Sequence, residues 1–142
     1  MTDTYISLQR FPYDDSAWHV ELKASNGLFS GTQDFYTYPK ELNAFGVNLC
    51  RFPKNIQDEA RFEVGDRAGN WAYFILIRVF LFDAVGHAAI EFAVDNHQTS
   101  PNRAQTSFFI KTEVAAINNF GQQLQSWVIS HDVPLTWFPY TL

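Results

Sequence analysis

The stretch LNAFGVNLCRF, Leu42 to Phe52, is echoed by INNFGQQLQSW, Ile117 to Trp127. Both read apolar, Asn, any, Phe, Gly, any, any, Leu, any, any, aromatic, and they lie 75 residues apart. In the first, Leu42, Phe45, Gly46, Leu49 and Phe52 recur at i, i+3, i+4, i+7 and i+10, the stripe of an amphipathic α-helix. In the second, Ile117, Phe120, Gly121, Leu124, Trp127 and Val128 form the same stripe. Pro39 suits the first turn of the first helix, and Pro53 stops it. Thr112 is expected to cap the second. A glycine inside a helix is worse than alanine by about 1 kcal/mol. Keeping one within both stripes predicts that each helix passes close to a neighbour there. No G-x-G-x-x-G or phosphate loop surrounds either glycine.

Working outward, the flanking segments read as strands. Tyr5 to Phe11 is a first strand, followed by the turn residues of PYDD. Ala17 to Ser25 alternates, with Trp18, Val20, Leu22 and Ala24 on one face and His19, Glu21 and Lys23 on the other. Asn26-Gly27 is a strong hairpin signal. Taken as the two-residue loop, it sets Trp18 opposite Phe35 and His19 opposite Asp34. Phe29, Gly31, Gln33 and Phe35 then share the face of Trp18. Ala60 to Val64 is a short strand ended by GDRAGN. Trp71 to Phe82 is the strongest strand, and His87 to Asp95 returns from it. With Ala84-Val85 as the loop, Arg78 lies opposite Glu91. One face of that pair is wholly apolar: Ile75, Ile77, Val79, Leu81, Ala88, Ile90, Phe92 and Val94. NHQTSPNR is a polar loop, Gln105 to Lys111 a further strand, and PLTWF a closing one.

The two halves align with changing offsets. A shift of 75 matches Phe35 to Ile110, the helix stripes to each other and Phe62 to Trp137. A shift of 70 matches VELKA to IEFAV, and one of 68 matches Tyr5, Leu8 and Arg10 to Tyr73, Leu76 and Arg78. The expected fold is therefore α+β: antiparallel sheets with two helices, as pseudo-duplicated β-β-β-α-β halves (1–65 and 71–142) in one domain spanning 1–142.

Composition narrows the function classes. At 142 residues, with 46% apolar and 17% aromatic residues, the chain can build a real core. No apolar run approaches the roughly 20 residues that span a bilayer, and the longest, Trp71 to Phe82, is interrupted by Arg78. No membrane association is expected. MTDTYISLQRF lacks a basic region followed by an apolar run, and the single Cys50 cannot form an internal disulfide, so a cytoplasmic location is the default expectation. A net charge of −5 argues against a nucleic-acid partner and for a basic protein partner. Asp14, Asp15, Glu21, Asp34, Asp58 and Glu59 are candidate contacts for such a partner.

No catalytic constellation stands out, and a non-enzyme is expected. The histidines are His19, His87, His97 and His131, with no H-E-x-x-H pattern and no cysteine cluster, so neither a metal site nor a cofactor is expected. His19 and Asp34 read as a surface polar pair, and Cys50 as a packed thiol without a base. The main functional suggestion is a sheet face carrying Phe74, Leu76, Arg78, Phe80, Phe82 and Glu91, too apolar to leave wet as one patch. Coverage by the rest of the chain leads, followed by self-association.

GLFSGTQDFYTYPKELNAFGVNLCRFP, VFLFDAVGHAAIEFAV and SFFIKTEVAAINNFGQQLQSW together resemble small bacterial proteins of the WapI-type immunity class and their uncharacterised relatives. The resemblance spans roughly Trp18 to Trp127 and its motifs are structural. It implies neutralisation of a bacterial toxin by direct binding, with no catalytic residue to carry over. Two further expectations come from the residues themselves: a homo-oligomeric structural or regulatory domain, or a small-ligand binder using an aromatic pocket between the halves.

Overall fold

The structure, a computed structural model, describes residues 3–12 and 16–140. Strands β1 (Thr4–Arg10), β2 (Trp18–Asn26) and β3 (Ser30–Thr37) precede helix α1 (Pro39–Arg51) and β4 (Glu59–Gly65). Strands β5 (Phe74–Leu81), β6 (His87–Asp95) and β7 (Gln105–Glu113) precede α2 (Val114–Ile129) and β8 (Leu135–Trp137). The expected β-β-β-α-β order is thus present twice.

The sheets are not one per half. One has the order β3-β2-β1-β8 and the other β4-β5-β6-β7. Each half contributes three strands to its own sheet, and its helix carries the chain across to lay the fourth beside the other half's first strand. β4 pairs antiparallel with β5, and β8 with β1. This reciprocal exchange joins the halves through backbone hydrogen bonds. A single buried cluster runs through both, from Ile6, Leu22 and Phe35 to Ile90, Phe120 and Trp137. The pocket between the halves expected to be aromatic is instead filled by these packed side chains.

The two helices meet at their glycines. A Cβ placed on Gly121 would lie 2.5 Å from the carbonyl oxygen of Gly46, and one on Gly46 would lie 3.1 Å from that of Gly121. The duplicated glycine therefore marks the crossing point. Around it, Phe45 packs on Phe62 with ring centres 5.5 Å apart, and its counterpart Phe120 stacks on Trp137 at 4.9 Å.

Register agrees with expectation in one hairpin and differs in the other. Arg78 lies opposite Glu91 as expected. Trp18 instead pairs with Thr37, His19 with Tyr36 and Val20 with Phe35, because the two-residue loop is Gly27-Leu28. Asn26 closes the ladder, donating its backbone N–H to Phe29 O at 3.0 Å. Its Oδ1 accepts the N–H groups of Leu28 and Phe29. Gly27, at φ 91°, takes the positive-φ first position that a type II′ loop requires. The slip is two residues, so every side chain keeps its expected face.

Two boundaries also differ. β5 begins at Phe74 rather than Trp71, and Trp71 is exposed in the preceding loop. Thr112 does not cap α2: Glu113 holds that position without a side-chain cap, while the Thr112 hydroxyl donates to Pro139 O at 2.8 Å. β7 continues through Thr112, so that side chain faces the interior rather than the helix end.

Candidate functional site

The sequence-predicted interaction face lies on the outer side of the second sheet, but the chain covers much of it. Phe74 and Leu76 are 2% and 1% exposed and form a small buried cluster with Ala93. The guanidinium of Arg67, from the β4–β5 loop, lies 4.9 Å from the centre of the Phe74 ring. Phe74 and Leu76 are therefore unavailable to a partner. Arg78 Nε donates to Glu91 Oε1 at 2.7 Å, and its guanidinium also covers Phe80 at 4.2 Å. Of the predicted residues, Phe82 remains well exposed, beside the ring of His87.

A different region has the geometry of a binding site. A cleft of about 720 Å³ lies between strand β3 and the loop joining β6 to β7. β3 is an edge strand of its sheet and supplies Ser30, Gly31, Thr32, Gln33 and Asp34 to one wall. The other wall has Asn96, Gln98, Asn102, Ala104, Gln105 and Thr106, with Val94, Ala72 and Tyr73 at its base. Among the described residues, Asp34 is the only carboxylate in this lining, which is otherwise rich in amides and hydroxyls.

Local structure fixes both walls. A Cβ on Gly31 would fall 2.5 Å from Thr106 Cγ2 and 3.1 Å from a Phe92 ring carbon, so the missing side chain lets β3 lie against the second sheet. Tyr36 donates its backbone N–H to Tyr73 Oη at 2.9 Å, fastening the β3 edge at the cleft base. Across the cleft, Asn96 organises the loop. Its Oδ1 accepts the N–H groups of Gln98 and Ala104, both at 3.0 Å, and its Nδ2 donates to Asn102 O at 3.2 Å. Asn96 is thereby a positioning residue, whereas exposed Gln98 projects from the loop it shapes.

The cleft opens beside a cluster of charged groups. Arg103 binds Asp95 through two nitrogens, at 3.3 and 2.6 Å, and holds that carboxyl below the usual carboxylate range. The guanidinium donates stabilising hydrogen bonds to the charged form. His97 Nδ1–H donates to Trp71 O at 2.7 Å.

Of the acidic residues proposed to face a basic partner, Glu21 and Asp34 are opposite one another on β2 and β3, and each of the described ones is engaged locally. Asp14 and Asp15 lie outside the described residues. Glu21 is 3.5 Å from Lys23, and Asp34 Oδ2 is 2.7 Å from His19 Nε2. Asp58 accepts the Lys54 backbone N–H, and Glu59 lies near Arg61 and Arg78. His19 is stacked between the rings of Phe11 and Tyr36, with centres 4.2 and 4.5 Å away. Cys50 sits at the helix crossing, where Gln125 Nε2 donates to its Sγ at 3.1 Å. Among the described residues, no group of three or more His, Cys, Asp or Glu could hold a metal ion, and no helix is long and apolar enough to cross a membrane.

Sequence reasoning missed the cleft because it treated Asn96 to Arg103 as an ordinary polar loop. The available signal was the kind of polarity: Asn96, Gln98, Asn102 and Gln105 are amides rather than solvating charges.

No family model matches the chain, and no curated protein matches it. Among solved structures it is similar to WHY1 from Arabidopsis thaliana, with 10% identity, coverage of 89% of this chain and 79% of that one, and a TM-score of 0.49. It is also similar to the plant transcriptional regulator PBF-2, with 12% identity, coverage of 89% and 75%, and a TM-score of 0.43. Two expectations are corrected: toxin neutralisation through a basic partner, and the exclusion of nucleic acid. The physical reason is common to both. A net charge of −5 describes the whole chain, while Asp34, Glu91 and Asp95 sit in local pairs and the cleft wall is almost uncharged.

Proposed function

We propose that this protein is a non-enzymatic binding module whose cleft takes an unstacked base of single-stranded nucleic acid. The observation that carries the reading is the lining between β3 and the β6–β7 loop. Amide side chains offer a donor and an acceptor side by side, the pattern that matches the edges of nucleobases. Unpaired bases in single strands expose those edges, and duplex pairing hides them. The volume of about 720 Å³ lies within the usual range for ligand sites. Asp34, the lining carboxylate, is engaged by His19, so it serves the wall rather than standing ready as a base.

The net charge shapes the expected behaviour. With few phosphate contacts available, affinity should depend on base contacts, and its salt dependence should be shallow. The test is fluorescence anisotropy with labelled 12-nucleotide single strands of each base and a matched duplex. Single strands should bind below ~100 µM and at least about tenfold more tightly than duplex. Gln33→Ala combined with Gln98→Ala should weaken binding by about tenfold. Equal binding of duplex and single strand, or no saturable binding, would overturn the reading.

A further inference from the structure

We propose that Arg67 and Arg103 form a phosphate-binding site adjoining the cleft, with His97 as its inner wall. This inference rests on the nucleobase reading for its ligand class, a nucleotide or a phosphodiester, but its geometry stands separately.

Phe74 and Asp95 are register partners on neighbouring strands. Arg67 lies over the Phe74 ring and Arg103 is bonded to Asp95, so the two guanidiniums occupy adjacent positions. They jointly line two small depressions, of about 320 and 180 Å³. The larger shares Val94, Gln105 and Thr106 with the cleft, and the smaller shares Gln98 with it. The depressions therefore adjoin the cleft at the edge of the second sheet.

The donors are incompletely used. Arg67 is 3.6 Å from Glu91 Oε2 and donates no hydrogen bond among the described residues. Arg103 engages Asp95 and Gln105 through Nε and one terminal nitrogen, leaving the other terminal nitrogen for a ligand. The guanidiniums of Arg67, Arg78 and Arg103 are matched by the carboxylates Glu59, Glu91 and Asp95, so an anion would be held here by directed donors rather than by net charge.

His97 supplies an independent observation that points to a ligand. Its side chain is 6% exposed, and it lines the smaller depression between Arg67 and Arg103. Nδ1–H is committed to Trp71 O, while buried Nε2 has no hydrogen-bond partner among the described residues. Asp95 Oδ2, at 3.8 Å, is beyond hydrogen-bond reach. Buried polar nitrogens ordinarily have partners. In the imidazolium form, Nε2–H would donate to a phosphate oxygen held by the two arginines.

Calorimetric and amide-NMR titrations of the full chain with inorganic phosphate, the four nucleosides and their 5′-monophosphates test the site. Arg67→Gln is the main variant because Arg67 is exposed and makes no hydrogen bond whose loss would unfold the loop. Monophosphates should bind about tenfold more tightly than nucleosides, and Arg67→Gln should remove that preference. Phosphate should shift amides in 66–70 and 97–105. Phosphate binding at these amides without nucleoside or oligonucleotide binding would keep the anion site and overturn the base-binding reading. Equal binding of nucleosides and monophosphates, with Arg67→Gln unchanged, would overturn the anion site while leaving that reading intact. Absence of both forms of binding would overturn both.

Discussion

Asn43 and Asn118 occupy the same slot in the duplicated helices, yet they meet different neighbours. Asn118 is partly buried, and its Nδ2 lies within hydrogen-bond distance of Leu49 O, Cys50 O and Phe52 O at 2.8, 3.3 and 2.9 Å. It thereby serves the C-terminal end of α1. Asn43 is exposed. The difference follows from where the helices stop. Pro53 forces α1 to end at Arg51, leaving its last carbonyls without helical partners. α2 runs on to Ile129, so the corresponding carbonyls of Leu124 and Gln125 have the amides of the next turn available. One duplicated pattern has thus diverged because one copy acquired a stop.

The paired glycines differ in the same manner, and they provide the largest expected effect. At Gly121 an added Cβ would meet Gly46 O at 2.5 Å, Cys50 N at 2.7 Å and Cys50 Sγ at 2.8 Å. Backbone cannot move aside cheaply. Gly121→Ala should therefore destabilise by about 3 kcal/mol, even after its gain in helix propensity. At Gly46 the nearest atoms are Gln125 Cγ at 2.9 Å, in a side chain whose amide is hydrogen-bonded to Cys50 Sγ and Gly121 O, and Gly121 O at 3.1 Å. Gly46→Ala should destabilise by about 1–2 kcal/mol, less than Gly121→Ala, because its closest neighbour is a side chain rather than backbone. Urea unfolding of both variants measures the contrast; equal effects would mean that the crossing is symmetric.

The asparagines provide the next effect. Asn118→Ala should cost about 1–3 kcal/mol by leaving carbonyls of α1 unsatisfied, while Asn43→Ala should stay within about 0.5 kcal/mol. Hydrogen exchange would sharpen this comparison, since only Asn118→Ala should speed opening of the last turn of α1. Uniform exchange in the two variants would remove the capping role.

The smallest effect concerns the charged cluster. Because Arg103 lowers the pKa of Asp95, the stabilisation is fully present above the ordinary carboxyl value and is lost as pH falls through the lower folded value. Arg103→Met should therefore be less stable than the parent at pH 7, and the gap should close below about pH 4. Denaturant midpoints across pH 2–7 measure this; a gap independent of pH would assign the loss to packing.

Much of the fold was legible because it depends on periodicity. The helix stripes, the order of elements and the Arg78–Glu91 register all follow from side chains repeating at intervals of 3.6 or 2. The first hairpin was displaced by two residues because Asn26 and Gly27 both favour turns, and only packing chooses which begins the loop. The outer face of the second sheet shows the limit of alternation. Phe80, Arg78 and Glu91 do share it, but the loop carrying Arg67 buries Phe74, and sequence pattern does not reveal how a loop folds back. The cleft was illegible for a related reason. Gln33 and Gln98 are 65 positions apart and line one cleft because Gly31 lets an edge strand lie on the other sheet.

By itself, the sequence determined two copies of a β-β-β-α-β unit, the apolar face of each strand and the glycine where each helix needs room. These are local properties, set by propensity and alternation along the chain. Tertiary structure alone decided that the halves exchange their fourth strands, that Asn118 rather than Asn43 completes a helix end, and that amides from distant segments form a cleft beside Arg67 and Arg103. Those outcomes depend on which surfaces exclude water from one another, a property of the folded chain rather than of any segment.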